Sequence, residues 1–186
     1  MRTRLFAAVL IAFAVSSAAP LRAGDRVVSA FSSLSGKHAV GVTDSESDKD
    51  AQIDYFSNIC PGYAGFELIH LGGDLRSWLK LRKGKTVTEL NGFLEMLPKE
   101  CAWEFPSVSG ELVEWRGVLK GEVFHPYAII FRVSGSDSSK GDKPVTHSCL
   151  VVASIAPDGT AKLVGAVMGK DEDKKAAALA DKSKEK

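Results

Sequence analysis

The sequence is poor in cysteine and has almost no excess of charge of either sign. It contains three cysteines, and 24 Lys and Arg residues nearly balance 23 Asp and Glu, for a formal net charge of +1. Proteins that bind nucleic acid usually carry a clear basic excess, so this balance argues against that class. Hydrophobic residues form 45% of the chain and charged residues 25%, which excludes disorder throughout and indicates a globular domain.

The motifs of several enzyme classes are also missing from the sequence. No Gly-x-Ser-x-Gly elbow is present, and Gly72-Gly73 lacks the strand and helix that flank a phosphate-binding loop. His147 and Cys149 alternate on one predicted strand, but a zinc site needs three or four ligands. We therefore expect no metal ion and no cofactor.

The N-terminus has the pattern of an export signal. Arg2 and Arg4 precede an uncharged apolar run at residues 5–15, and the small residues at 16–19 follow, then Pro20. The run is about half of the ~20 residues that a membrane-spanning helix needs. We predict a signal peptide over residues 1–23, cleaved after Ala18 or Ala23, and a periplasmic or secreted product with no remaining transmembrane segment.

After the signal, the sequence predicts three parts. Residues 24–50 are weakly patterned and predict a weakly ordered N-terminal segment. Residues 51–169 predict a single β-rich domain, because short apolar runs alternate with turn residues. Residues 170–186 begin with acids and end with lysines, which favours a short charged helix and a frayed tail.

The pattern within the domain predicts strands joined by turns. The strands are expected at residues 52–58, 66–70, 74–81, 111–119, 126–133, 147–155 and 161–168. Residues 60–65 and Gly72-Gly73 are read as turns, and residues 74–81 also fit a helix. Thr86 and Glu89 have capping-box spacing and predict a helix up to Leu97. The predicted fold class is α+β, mostly β: an antiparallel meander-like sheet with one internal helix and a C-terminal helix near residues 172–182.

Several short motifs occur in a recognisable order. They are Cys-Pro-Gly-Tyr at residues 60–63, Gly-Asp-Leu-Arg at 73–76 and Leu-Val-Glu-Trp-Arg at 112–116. In this order, over roughly residues 52–181, the chain resembles an uncharacterised family of small exported proteobacterial proteins. The resemblance implies a periplasmic or secreted location and implies no activity.

The three cysteines are disulfide candidates, because exported proteins usually fold in an oxidising compartment. Cys60, Cys101 and Cys149 allow one bridge and one free thiol, and the pairing stays open with a slight preference for Cys60–Cys101. The spare thiol would permit a disulfide-linked structural dimer. The catalytic alternative uses Cys60 as nucleophile and His125 as base, by a faint likeness to cell-wall cysteine peptidases.

Two acid–base pairs and one aromatic residue are the candidate binding residues. Asp74 and Arg76 are two apart on a predicted strand, so both should project from one face, as should Glu114 and Arg116. Tyr63 lies in a glycine-rich turn, where it serves either as a contact residue or as a plug for the sheet end. The two pairs form either an ordinary solvated face or a polar groove.

The intervening Trp115 is predicted to point to the opposite side, into the core. The function favoured by the sequence is a non-catalytic periplasmic binding or envelope-support module. Its partner would be an unidentified small molecule or an envelope protein. The alternatives are the Cys60–His125 enzyme and the disulfide-linked dimer.

Overall fold

Nine strands, one 3₁₀ helix and one α-helix make up the part of the chain that the computed structural model describes, residues 25–34, 56–139, 141 and 143–184. The strands are β1 (Arg26–Ser33), β2 (Phe56–Pro61), β3 (Phe66–Gly73), β4 (Arg76–Lys83), β5 (Thr86–Glu89), β6 (Glu104–Lys120), β7 (Val123–Asp137), β8 (Val145–Ile155) and β9 (Ala161–Val167). The 3₁₀ helix is Asn91–Met96, and helix α1 is Glu172–Ser183. The predicted signal peptide lies outside the described residues.

The strands form two antiparallel sheets rather than one. The larger sheet has the order β1-β6-β7-β8-β9, and the smaller has the order β2-β3-β4-β5. The predicted class, α+β and mostly β with a meander topology, is confirmed. The sequence indicated one sheet, whereas the chain completes one meander at β5 and begins a second at β6.

The two sheets bury their facing surfaces in one central core. Leu68, Leu79 and Leu81 come from the smaller sheet, and Trp115 and Phe131 come from the larger sheet. Each of these side chains is at most 1% exposed. Sheet-on-sheet packing of this kind requires an apolar inner face on every central strand, which the alternation in β3 and β4 supplies.

Helix α1 covers the other face of the larger sheet. Ala176 and Ala180 are fully buried against a second apolar cluster, and β8 contributes Leu150 and Val152 to it. Because β8 is covered on both faces, residues 150–153 form a continuous apolar run instead of an alternating one. The predicted C-terminal helix is therefore confirmed, and its small residues fill a defined space on the sheet.

The predicted internal helix is present only in its second half, as the 3₁₀ helix, and its first turn is a strand. Thr86–Glu89 forms strand β5, and Glu89 makes an ion pair of 2.6 Å with Lys80 instead of closing a capping box. The short 3₁₀ helix that follows β5 is the only helical part of the predicted segment. Val87 is 49% exposed, so the predicted apolar helical face is split. The β-branched Thr-Val-Thr run next to a two-residue turn favours pairing with β4 over helix.

The turn predicted at Gly72-Gly73 lies two residues further along the chain. Strand β3 continues to Gly73, and Asp74 and Leu75 form the turn with φ angles of 50° and 62°. A Cβ at Gly72 would lie 2.0 Å from the Phe56 ring, so this glycine makes room for an aromatic ring inside a strand. The returning strand predicted over residues 74–81 is therefore β4, which begins at Arg76, and the helical alternative is wrong.

Two other boundaries differ from the prediction. Cys60 and Pro61 belong to strand β2, so the turn begins at Gly62. Part of the N-terminal segment predicted as weakly ordered forms strand β1, which pairs with β6 over eight residues. Residues 35–55, which include the start of the strand predicted at 52–58, lie outside the described residues.

Candidate functional site

A wide groove of about 1160 Å³ opens where the smaller sheet meets the segment that leads into β6. It is formed by the start of β4, the 3₁₀ helix, residues 97–103 and the first residues of β6. The side chains that define this groove include Arg76, Trp78, Leu94, Cys101, Trp103 and Phe105. Aromatic walls with a few polar groups are typical of a ligand-binding site.

A bulge in β6 places Phe105 at the mouth of the groove. Glu104 pairs with Ser136 and Ser107 with Ser134, so β6 uses one residue more than β7. The extra length is absorbed at Phe105, whose φ angle is 49° and whose side chain is 51% exposed. A bulky residue in this left-handed region is strained, and bulges of this kind often redirect a side chain beside a site.

The β3–β4 turn lies beside this bulge and is held to it by a serine. The single Ser107 hydroxyl proton is shared between the carbonyl oxygens of Leu75, 3.1 Å from Oγ, and of Phe105, 3.3 Å from Oγ. Leu75 is 81% exposed, and its neighbour Arg76 lies over the Phe105 ring at 5.5 Å from the centroid. Two strained and exposed apolar residues therefore stand together at the mouth of the groove.

The far wall of the groove is built around Trp103. Its Nε1 donates to the carbonyl oxygen of Pro98 at 2.8 Å, which fixes the indole across the loop. A Cβ at Gly135 would lie 3.0 Å from the indole, so glycine is needed on β7 at this point. Asp137, which is fully buried, accepts a hydrogen bond from the Ala102 amide at 3.4 Å and lies 3.5 Å from His147 Nε2.

Of the five candidate binding residues, only Arg76 lines the groove. Asp74 is in the turn and not on a strand, so it does not share a strand face with Arg76. That expectation failed because the strand was predicted to begin before the turn. The groove was missed because its walls come from separate stretches of chain; the aromatic and proline content of residues 97–106 was the one available sequence signal.

Glu114 and Arg116 do share a face of β6 opposite Trp115, as predicted. They lie on the side covered by α1, where Arg116 Nη2 contacts Asp181 at 2.7 Å. Ser29 donates a hydrogen bond to Glu114 and accepts one from Arg116 at 2.9 Å. Arg116 therefore anchors the helix, Glu114 is bound to Ser29 of β1, and neither joins Arg76 in a groove.

The titration of this anchor follows from its contacts. Burial raises the pKa of the Asp181 carboxyl, but hydrogen bonds from Arg116 and Tyr127 outweigh it and leave the pKa below its usual range. The pKa of Tyr127 is raised by burial and by its hydrogen bond to Asp181. Asp181 is therefore a carboxylate that receives both donors, which suits a structural contact.

Tyr63 plugs the end of the core rather than offering a contact surface. Its hydroxyl donates to the carbonyl oxygen of Phe31 at 2.6 Å. Its ring packs edge-on against Trp115 and Phe124, with centroids 5.9 and 5.5 Å away. This packing matches the second of the two roles that the sequence left open for Tyr63.

The predicted disulfide is absent, and all three cysteines are free thiols. Cys60 and Cys149 are buried in the core, on strands of different sheets, whereas Cys101 is half-buried in the groove wall. Burial raises the pKa of Cys60, and burial raises the pKa of Cys149 to about 11. The pairing argument rested on compartment alone and carried no information on where each thiol points.

The structure does not join Cys60 and His125. The Cys60 Sγ donates to the carbonyl oxygens of Leu34 at 3.4 Å and Asn58 at 3.9 Å, while His125 is exposed on β7. A nucleophilic thiol needs a lowered pKa and an accessible surface, and Cys60 has neither. No cluster of three His, Cys, Asp or Glu side chains suited to a metal occurs among the described residues.

We expect native thiol labelling to single out Cys101. Iodoacetamide should add one group to the folded protein, at Cys101, and three groups after unfolding in urea, as read by intact mass and peptide mapping. Preferential reaction at Cys60 would contradict the burial described for it and restore the nucleophile. A covalent dimer on non-reducing electrophoresis would have to disappear in Cys101→Ser, because the other two thiols are buried.

No family model, curated protein or solved structure matches this chain. Within the part of the chain that the structure describes, no helix has the length and apolar character needed to cross a membrane. The groove geometry is therefore the main guide to function.

Proposed function

We propose that this chain is an exported, non-catalytic binding protein and that the groove is its binding site. The observation that carries the proposal is an open space of about 1160 Å³ walled by Trp78, Trp103 and Phe105. Small-molecule sites are concave, largely apolar and marked by a few fixed polar groups. The groove is concave, and its lining combines these aromatic side chains with a comparable share of polar surface, including Arg76 and Lys99.

Backbone strain supports the same assignment. Leu75 and Phe105 hold positive φ angles at the groove mouth while exposing large apolar side chains. Each such residue costs on the order of 1–3 kcal/mol, and strain of this kind collects at functional sites. Ser107 connects the two strained residues, so the mouth has a defined shape in the absence of ligand.

Export is supported by the sequence of residues 1–23. If the proposal is correct, the full chain expressed in a Gram-negative host should give a periplasmic product that begins at Ala19 or Gly24, as measured by intact mass. Leu10→Arg places a charge in the apolar run and should leave the precursor in the cytoplasm. An unprocessed wild-type chain confined to the cytoplasm would contradict the proposed location.

Binding at the groove can be measured with an uncharged fluorescent probe. N-phenyl-1-naphthylamine should bind the purified mature protein saturably at one site and brighten, because the aromatic walls exclude water from it. Leu94→Asp should weaken this binding at least about tenfold, since it places a carboxylate in the apolar wall. The melting temperature should change little, because Leu94 is 51% exposed.

The matched control is Leu112→Asp. Leu112 is 59% exposed on β6 and does not line the groove, so the same substitution there should leave probe binding unchanged. Equal loss of binding in both variants would show that the probe reports general surface hydrophobicity. Absence of saturable binding to the wild-type protein would overturn the proposed site.

A further inference from the structure

We infer that the groove takes a long-chain carboxylate, a molecule with an aliphatic body and one anionic head. This inference rests on the proposed function and adds the chemical class of the ligand. The groove, at about 1160 Å³, is larger than most drug-sized sites, which hold roughly 300–1000 Å³, and it is open to solvent. An extended apolar chain fits such a space better than a compact polar solute.

Arg76 supplies the anion-binding group. Its guanidinium lies over the Phe105 ring, with Cζ 5.5 Å from the ring centroid. Among the described residues, Arg76 makes no ion pair with any carboxylate, and its side chain is exposed. A guanidinium positioned on an aromatic ring keeps its N–H edge free for the two oxygens of a carboxylate.

The remaining charges in the groove leave Arg76 without a competing partner. Glu104 already accepts hydrogen bonds from Ser138 Oγ at 2.7 Å and from the Ser138 amide at 3.4 Å. Lys99 is exposed and, within the described ranges, forms no ion pair. The two acids balance the two cations in formal charge, but Glu104 is held by Ser138, whereas no described carboxylate pairs with Arg76. Arg76 is therefore the groove cation that an incoming anion can pair with.

Four probes separate the aliphatic contribution from the charge contribution. Dodecanoate, dodecanol and dodecyltrimethylammonium share one chain and differ in the head, while butanoate keeps the head and shortens the chain. Each is used below its micelle concentration, and binding is followed by displacement of N-phenyl-1-naphthylamine and by fluorescence of the groove tryptophans Trp78 and Trp103. Dodecanoate should bind at least about tenfold more tightly than dodecanol, and the other two should bind more weakly than dodecanol.

Two variants of Arg76 locate the carboxylate head of the ligand, and the alkylation rate of Cys101 shows whether the ligand occupies the groove. Arg76→Gln should remove the preference for dodecanoate over dodecanol, whereas Arg76→Lys should keep part of it. Arg26→Gln, at an exposed arginine on β1 outside the groove, should change nothing. Saturating dodecanoate should also slow alkylation of Cys101, because this thiol lines the groove.

The outcomes distinguish the two proposals. Equal binding of dodecanoate and dodecanol, or a preference that survives Arg76→Gln, overturns the carboxylate and leaves the binding groove in place. Dodecanoate binding without protection of Cys101 places the ligand elsewhere and overturns the inference. Failure of every probe, including the naphthylamine, overturns the groove itself.

Discussion

Trp115→Ala should destabilise the protein by about 3–5 kcal/mol, the largest effect that we expect from one truncation. The indole is 0% exposed and contacts the rings of Tyr63 and Phe66 across the two sheets. Its Nε1 also donates to Ser32 Oγ at 2.8 Å, which ties β6 to β1. Removal leaves a large cavity and a hydroxyl without its donor, so the free energy of unfolding falls.

Urea denaturation of the mature protein measures this effect, with the midpoint lowered and the slope unchanged. Trp115→Phe fills most of the space and should cost clearly less, which keeps the test readable if the alanine variant does not fold. Trp103→Ala, at a half-buried indole in the groove wall, is the matched control and should also cost less. An unchanged midpoint in Trp115→Ala would contradict the core position of this residue.

Ala176→Glu should release helix α1 from the sheet. Ala176 is 0% exposed and packs in the cluster formed with Ile130 and Val152. A carboxylate has no partner there, and a buried unpaired charge costs several kcal/mol. Undocking of the helix avoids that cost but exposes the apolar sheet face, so a loss of about 3 kcal/mol is expected.

Loss of the helical signal in circular dichroism and faster tryptic cleavage after residue 168 would report this release. Ala178→Glu is the matched control, because Ala178 is exposed on the same helix and should tolerate the change. The ion pairs of Glu172 with Arg132 and of Asp181 with Arg116 hold the two ends of the helix at 2.7 Å. Equal behaviour of the two variants would mean that these pairs, and not the buried alanines, dock the helix.

Local patterns predicted the parts of the fold that depend on neighbouring residues. The inward Trp115 and the outward Glu114 and Arg116 follow from the two-residue period of a strand. The C-terminal helix follows from its alanines and its charge order. The first turn of the predicted internal helix failed because a T-x-x-E pattern and a β-hairpin compete for the same residues, and pairing of Thr86–Glu89 with β4 decided between them.

Of the residues that line the groove, the sequence predicted only Arg76 as a binding residue. The argument for Glu114 and Arg116 gave their face correctly but not what covers it, which is α1. Cys60 and Cys149 were disulfide candidates on the ground of compartment, but both thiols are buried on strands of different sheets. The period of a strand tells which side a residue is on, and it carries no information about the layer that packs there.

The sequence by itself determined a β-rich antiparallel domain, an export pattern, a core tryptophan and a terminal helix. Each is encoded within a few consecutive residues, through periodicity, charge order or turn chemistry. The tertiary structure alone decided that the strands divide into two sheets and that the three cysteines stay unpaired. It also decided that a groove opens between the start of β4, the 3₁₀ helix and the start of β6. These features join residues far apart in the chain, and only packing of the two sheets brings those residues together.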